Sequence, residues 1–286
     1  MPWPVALVTD SVASLPTETA AERGITVVPL QVVVGDTSYD EGADGPATPQ
    51  RIAEALRART RVRTSRPTPS AFAETYRKVV AEGAAEIVSV HLSGELSGTC
   101  ESAQAAAREA PVPVHVVDTR QVGMGVGFAV LAAADVLEGG GSADQAAEAA
   151  RARAEATTSL FYVDTLEYLH RGGRIGAAAA LLGSALAVKP LLTVSDGRVD
   201  TLEKVRTSAR ALTRLGDLAV EAADGGPVDV AVAHLANPEQ AARLAELLSG
   251  RLAESLSGRQ VLSVEVGPVI GAHAGPGMVA VVVAPR

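Results

Sequence analysis

A single cysteine, Cys100, stands in a chain of 286 residues. One thiol cannot close an intrachain disulfide or build a Cys-based zinc site. Aromatics are almost as scarce, at one Trp, three Phe and four Tyr, which leaves few stacking platforms for bases or sugars. Apolar runs fall short of the roughly 18 residues that a membrane span needs. The net charge is -8 and no basic block stands out, which argues against a nucleic-acid footprint. The five histidines (His91, His115, His170, His234, His273) show neither H-x-x-x-H nor H-x-E spacing, so no metal site is expected. G-x-x-x-x-G-K-[ST] is also missing, which argues against a phosphate-loop enzyme. The start, Met1-Pro2-Trp3-Pro4, lacks the basic segment of a secretory signal. Together with the lone thiol, this makes the cytoplasm the expected compartment.

Alanine, valine and leucine supply the core instead. Hydrophobic residues make up 47% and charged residues 20%, the balance of a globular chain. Such a core is smooth and aliphatic and would suit an aliphatic ligand. The first half alternates β-branched runs with Ala-rich helical stretches. Strands are predicted over 5–8, 25–34, 87–92 and 114–118. Helices are predicted at 17–23, from Thr48-Pro49 to about Arg59, and over 69–82, 97–110 and 126–138. That βαβα rhythm implies a parallel sheet covered by helices. Ser142 is placed to cap the next helix, over 142–155. The second half has a different grain. Asp196-Gly197 between two apolar runs predicts a hairpin, among strands at 160–163, 228–234, 261–266 and 278–283. A C-terminal α/β domain with a mixed or antiparallel sheet follows, and the domain boundary is expected near 160, giving 1–160 and 161–286.

Four polar segments lie where parallel α/β proteins bind ligands, beside strand ends and helix starts. Thr64-Ser65-Arg66-Pro67-Thr68-Pro69-Ser70 is expected as a loop joining two helices, and its hydroxyls could hold an anion or merely cap a helix. His91-Leu92-Ser93-Gly94-Glu95-Leu96-Ser97-Gly98-Thr99 follows a strand and opens a helix. Free backbone N–H groups there favour a carboxylate or phosphate, although Ser93 or Ser97 as a plain cap explains them equally. Gly123-Met124-Gly125-Val126-Gly127 is an incomplete dinucleotide fingerprint, better explained by close helix packing. Gly267-Pro268 to Gly275-Pro276-Gly277 is expected as an ordered, irregular loop with His273 as its one ionisable side chain.

These segments together resemble the DegV family, the bacterial fatty-acid-binding proteins, over nearly the whole chain and in order. Thr9-Asp10-Ser11 with Leu15-Pro16 is similar to the family's opening D-S-x-x-x-L-P. Thr64-Ser65-Arg66-Pro67-Thr68, followed by Phe72, resembles its T-S-x-P-[ST] loop. Leu92-Ser93-Gly94-Glu95-Leu96-Ser97-Gly98-Thr99 resembles L-S-x-x-L-S-G-T. Leu166 to Ile175 resembles L-x-Y-L-x-x-G-G-R-I. Lys189-Pro190-Leu191-Leu192, Asp196-Gly197 and Lys204-Val205-Arg206 match the segment that follows, and Gly271 to Gly277 matches G-x-H-x-G-P-G. Three positions depart from the pattern: Cys100 stands where an aromatic is usual, Arg66 replaces a commonly neutral residue, and Ala274 stands where Thr or another small residue is common.

The resemblance implies an N-terminal Rossmann-like domain with a parallel sheet, a second α/β domain, and one long-chain fatty acid between them. It implies a carboxylate site at Thr64, Ser65, Ser93, Gly94, Ser97, Gly98 and His273, with no cofactor beyond the bound lipid. It also implies a non-catalytic carrier that presents the carboxylate to a separate fatty acid kinase catalytic subunit, with at most transient membrane contact. Arg171 and Arg174, around Gly172-Gly173, are candidates for docking that partner. The alternative is a serine acyl hydrolase using Ser97 and His273. Ser97 lacks the G-x-S-x-G elbow, however, and no carboxylate is evidently poised behind the histidine.

Overall fold

The computed structural model describes residues 4–42, 47–181 and 189–286. The reading of Met1 to Trp3 therefore lies outside the described residues. In chain order the strands are β1 (Val5–Asp10), β2 (Ile25–Val28), β3 (Gln31–Val34), β4 (Thr37–Asp40), β5 (Val62–Ser65), β6 (Glu86–His91), β7 (Val114–Asp118), β8 (Thr158–Tyr162), β9 (Lys189–Ser195), β10 (Arg198–Val205), β11 (Val228–His234), β12 (Leu262–Glu265) and β13 (Val279–Pro285). The helices are α1 (Thr17–Glu22), α2 (Pro49–Arg57), α3 (Pro69–Ala81), α4 (Thr99–Ala107), α5 (Met124–Glu138), α6 (Ala143–Ala156), α7 (Glu167–Arg171), α8 (Ser208–Ala223), α9 (Pro238–Arg251), α10 (Ala253–Leu256) and α11 (Pro268–Ala274).

The first sheet has the order β2-β1-β6-β7 and is parallel throughout. All six residues of β1 are buried, as a strand covered on both faces requires. Alternation splits them between two cores. Ala6 and Val8 meet Phe72, Tyr76 and Val79 of α3 and Ala103 of α4. Val5 and Leu7 join Val126 and Val130 of α5 and Ala146 and Ala150 of α6. Ser142 caps α6 in a reciprocal box with Gln145, which fixes where the helix starts.

The second sheet is mixed, with the order β10-β9-β8-β13-β11-β12. Only its β11–β12 pair is parallel. The β9–β10 hairpin turns at Asp196 and Gly197, with φ of 49° and 78°. Two successive left-handed residues match strand twist, and Asp-Gly accepts them. Leu160, Leu191, Val230 and Val281 face α8 and α9. Helix α5 also contacts this sheet, since Met124 and Phe128 pack on Ala231, Val282 and Ala284. The glycines expected to serve packing do so: a Cβ on Gly127 would lie 2.7 Å from the Ala13 carbonyl oxygen.

Three expectations need correction. The predicted strand 25–34 breaks at Pro29-Leu30 into β2 and β3, which belong to different sheets. Strands β4, β3 and β5 form a third, antiparallel sheet. Thr64 and Ser65 are thus strand residues, with Thr64 opposite Val32. Proline cannot donate to a ladder, so Pro29 ends one pairing and frees the chain for the next. His273 sits on a helix, α11, rather than in an irregular loop. Pro268 at its first turn suits helix initiation, and Gly275 and Gly277, at φ of 79° and 90°, end it.

Candidate functional site

The carboxyl ends of the parallel sheet face the mixed sheet across a cavity of about 370 Å³. Most of its wall is aliphatic. Val12 and Leu92 extend from β1 and β6, and Met124 opens α5. Val194, Val199, Ala280 and Val282 come from the mixed sheet, and Val269 and Ile270 from α11. At one end the wall turns polar, at Thr64, Ser65, Arg66, Ser97, Gly98, Arg174 and His273. This volume and this pattern, apolar walls with a few converging polar groups, are those of a small-molecule site.

The polar end is built around one hydrogen bond: Thr64 Oγ1 lies 2.9 Å from His273 Nε2. It joins β5 to α11, 209 positions apart. Burial pushes the His273 pKa down to about 4, and the Arg174 charge adds to the shift. The imidazole is therefore neutral at neutral pH. Its Nδ1 is buried without a partner, against Gly172, where a Cβ would collide with the ring. With the proton on Nε2, the ring donates to Thr64 Oγ1, and the threonine hydroxyl keeps its own proton for a ligand.

Arg174 is half-buried, not displayed beside Arg171. Its Nε donates to the Leu96 carbonyl at 2.9 Å and Nη1 to the Gly172 carbonyl at 2.7 Å. It thereby ties the Gly172-Gly173 turn to the loop that carries Ser97. Arg171 is exposed, pairs with Glu167 at 3.1 Å and lies 5.2 Å over the Tyr168 ring. Arg66 Nη1 donates to Glu101 at 2.7 Å and to the Gly98 carbonyl at 3.3 Å. A Cβ on Gly98 would strike that guanidinium.

The structure separates the residues expected to bind. Thr64, Ser65, Ser97, Gly98 and His273 line the cavity, whereas Ser93 and Gly94 are outside its wall. Ser93 Oγ donates to the Gly197 carbonyl at 2.7 Å and so joins the parallel-sheet loop to the β9–β10 hairpin. Gly94 N–H donates to Asp118 at 3.1 Å, and a Cβ there would crowd the same carboxylate at 2.7 Å. Both position the Ser97 loop. Ser97 Oγ lies 2.9 Å from Thr99 Oγ1, and Ser65 Oγ donates only to the Arg66 carbonyl, at 3.3 Å.

Sequence reasoning missed two features. One is a fully buried line of Asp10, His91, Ser89 and Tyr76. His91 Nδ1 is 2.9 Å from Asp10 Oδ2, Ser89 Oγ is 2.7 Å from His91 Nε2, and Tyr76 donates to Ser89 at 2.9 Å. Asp10 also accepts from the N–H of Leu92 at 3.1 Å, which anchors the start of the Ser97 loop. The Asp10 of the opening motif pointed here, but its partners are 81 residues away. The second is a cleft of about 440 Å³ that shares Thr64, Arg174 and His273 with the cavity and adds Arg61, Arg63 and Arg171. Among the described residues no carboxylate lines it. The Arg61-Val62-Arg63-Thr64 alternation was a legible signal once that segment is read as a strand.

This arrangement suits holding a carboxylate more than attacking one. The hydroxyl-bearing Thr64, Ser65 and Ser97 line the cavity's polar end, and a neutral imidazole bonds to one of the hydroxyls. Among the described residues Ser97 and His273 make no hydrogen bond to each other, and no carboxylate backs Nδ1. A nucleophile–base pair needs both contacts. No group of His, Cys, Asp and Glu side chains suited to a metal ion occurs among the described residues.

Fold and site define an α/β protein of mixed-sheet and parallel-sheet halves with an aliphatic cavity that has one polar end. The chain belongs to the DegV family. The model of that family, described as "Uncharacterised protein, DegV family", matches residues 4–286. A DegV domain-containing protein of Streptomyces coelicolor is 56% identical over 244 residues, 85% of this chain and 86% of that one. A Deinococcus radiodurans relative is 41% identical over 74% of this chain and 75% of its own. Among solved structures, a fatty-acid-binding DegV family protein from Thermus thermophilus superposes with a TM-score of 0.91 at 35% identity, covering 99% of each chain. DegV of Bacillus subtilis, a fatty acid binding protein, gives 0.89 at 30% identity, over 99% of this chain and 100% of that one.

Proposed function

We propose that this protein is a non-catalytic carrier of a long-chain fatty acid and presents its carboxylate to a separate kinase for acyl-phosphate formation. The observation that carries this reading is the shared wall of Thr64, His273 and Arg174. These three residues line both the aliphatic cavity and an arginine-lined cleft that has no carboxylate among its described residues. A carboxylate held at Thr64 and Ser97 is thus within reach of a phosphate-bearing partner entering the cleft. The solved relatives from Thermus thermophilus and Bacillus subtilis are fatty-acid-binding proteins, which supports the ligand class.

Energetics divide the work. Burying about 15 methylenes at roughly 0.8 kcal/mol each supplies a gross ~12 kcal/mol. Ordering and desolvation offset much of that. The tail therefore supplies most of the affinity, and the polar end sets orientation. Hydroxyl and amide donors hold a carboxylate without an arginine clamp, which leaves an oxygen free to attack a phosphoryl group. Two domains, 1–160 and 161–286, fit this arrangement, with the lipid between them, the protein in the cytoplasm and loading by transient membrane contact.

Native mass spectrometry of protein purified from cells tests the carrier reading. A co-purified fatty acid is expected, and a bound nucleotide or an empty cavity after gentle isolation counts against it. Turnover of a p-nitrophenyl ester, lost in Ser97→Ala, would favour a hydrolase instead. For presentation, acyl-phosphate formation by a fatty acid kinase subunit should require the loaded protein.

A further inference from the structure

A second groove lies at the far side of the molecule's aliphatic interior. It is larger than the cavity, at about 880 Å³. Its floor is apolar: Phe128 and Leu131 from α5, Ala149 and Ala152 from α6, and Leu262 of the edge strand β12. Phe128 follows Met124 by one helical turn, and Met124 lines the fatty-acid cavity. Met124, Phe128, Val282 and Leu262 belong to one packed cluster. One packed cluster thus lines the cavity with Met124 and Val282 and the groove with Phe128, Leu131 and Leu262.

Its rim is cationic. Four arginines line the groove, Arg23, Arg153, Arg259 and Arg286, against the carboxylates of Asp135 and Asp229. Arg23 is satisfied by Asp135 at 2.6 Å and by Glu138. At the other end Asp229 is shared, since it pairs with Arg153 and, at 3.0 Å, with Arg259. Arg286 has no carboxylate within salt-bridge distance among the described residues, and its guanidinium reaches only the Leu256 carbonyl, at 3.4 Å. The Arg153 side chain is only 11% exposed, with its guanidinium 5.9 Å over the Phe128 ring. Two guanidiniums therefore share one carboxylate, and a third, that of Arg286, lines the same groove beside the aliphatic floor without a carboxylate of its own among the described residues. The guanidiniums of Arg259 and Arg286 stand exposed beside the buried Arg153; like charges so placed repel, and an anion among them relieves that repulsion with charge-assisted hydrogen bonds.

We infer that this groove is a second binding site, for a single-headed anionic amphiphile, with its phosphate, sulfate or carboxylate at Arg259 and Arg286 and its apolar body on Phe128, Leu131 and Leu262. The site is separate from the carboxylate end of the cavity and does not depend on how that end is used.

Dodecyl phosphate is the probe, with inorganic phosphate as the head-group control. Delipidated protein should take up two equivalents of dodecyl phosphate in calorimetry and native mass spectrometry. The Arg259→Ala/Arg286→Ala double variant changes only exposed side chains and should weaken one of the two equivalents by tenfold or more. Leu131→Trp, which fills the floor, should do the same. Both should leave the equivalent that is sensitive to Thr64→Val unchanged. A single equivalent in the wild type, or a second one indifferent to both variants, overturns the proposal. Inorganic phosphate binding as tightly as the amphiphile would overturn the ligand class, because the apolar floor would then contribute nothing.

Discussion

Thr64→Val replaces a hydroxyl by a methyl of nearly the same shape, and the structure fixes what is lost. In the native protein Thr64 Oγ1 and His273 Nε2 are 2.9 Å apart, and Nδ1 of the same ring is already unpartnered. In the variant both ring nitrogens are buried without partners. An unsatisfied buried polar atom costs about 1–3 kcal/mol, and in a chain of this size about 2–4 °C of melting temperature follows each kcal/mol. The ligand loses a hydrogen bond to a charged group, worth roughly 1.5–3 kcal/mol, or about 10- to 150-fold in Kd. The two losses are separable. Melting of delipidated protein reads the first, and calorimetric titration with a fatty acid at a temperature well below the melt reads the second. Thr64→Ser keeps the hydroxyl and should recover both. A valine variant that melts early yet binds within about twofold of wild type would falsify the head-group assignment: the hydroxyl would then serve His273 alone.

Other outcomes follow from the same geometry. His273 has a folded pKa near 4, below the unfolded value of about 6.5, so the unfolded chain binds the extra proton between the two. Stability from this residue is therefore full above about pH 6.5 and lost as pH falls toward 4, by about 3 kcal/mol. Glu41, raised by burial, has the opposite sign, so the quantity to compare is wild type minus His273→Gln, and parallel stability curves would reject the account. Gly172→Ala drives a methyl into the His273 ring and should cost about 1–3 kcal/mol, with fatty-acid binding weakened too; an unchanged melt and affinity would show that the ring has room to move. Ala280→Phe projects into the cavity and should penalise long acyl chains first, by about 0.8 kcal/mol per methylene excluded, seen as a shift in the co-purified chain lengths. Arg171→Glu should leave lipid affinity intact and lower kinase-coupled turnover at limiting carrier, whereas Arg174→Glu should lower the melting temperature as well, because only Arg174 is bonded to the Leu96 and Gly172 carbonyls.

Local chemistry carried much of the architecture. The apolar run Val5 to Val8 that opens β1, the Thr48-Pro49 and Ser142 helix starts and the Asp196-Gly197 hairpin follow from residue type at close spacing, and the structure contains each of them. These features depend on contacts a few residues apart, where steric and hydrogen-bond rules act without reference to the rest of the chain. The third sheet was not legible in this way. Val62 to Ser65 is four residues long, and its pairing with β3 lies about thirty positions back, beyond any periodic signal.

The site divides along the same line. Sequence alone marked Thr64, Ser97 and His273 as polar groups in Gly- and Pro-rich surroundings, because residues of those types at strand and helix ends are suited to anions. Whether they meet was decided by tertiary structure, which brought Thr64 and His273 together across 209 positions. The same packing diverted Ser93 to the Gly197 carbonyl and turned Arg174 inward to the cavity wall. A side chain's type states which bonds it can make. Burial and long-range packing choose among them, because in a buried setting each donor must bond to whatever partner the fold has placed within reach.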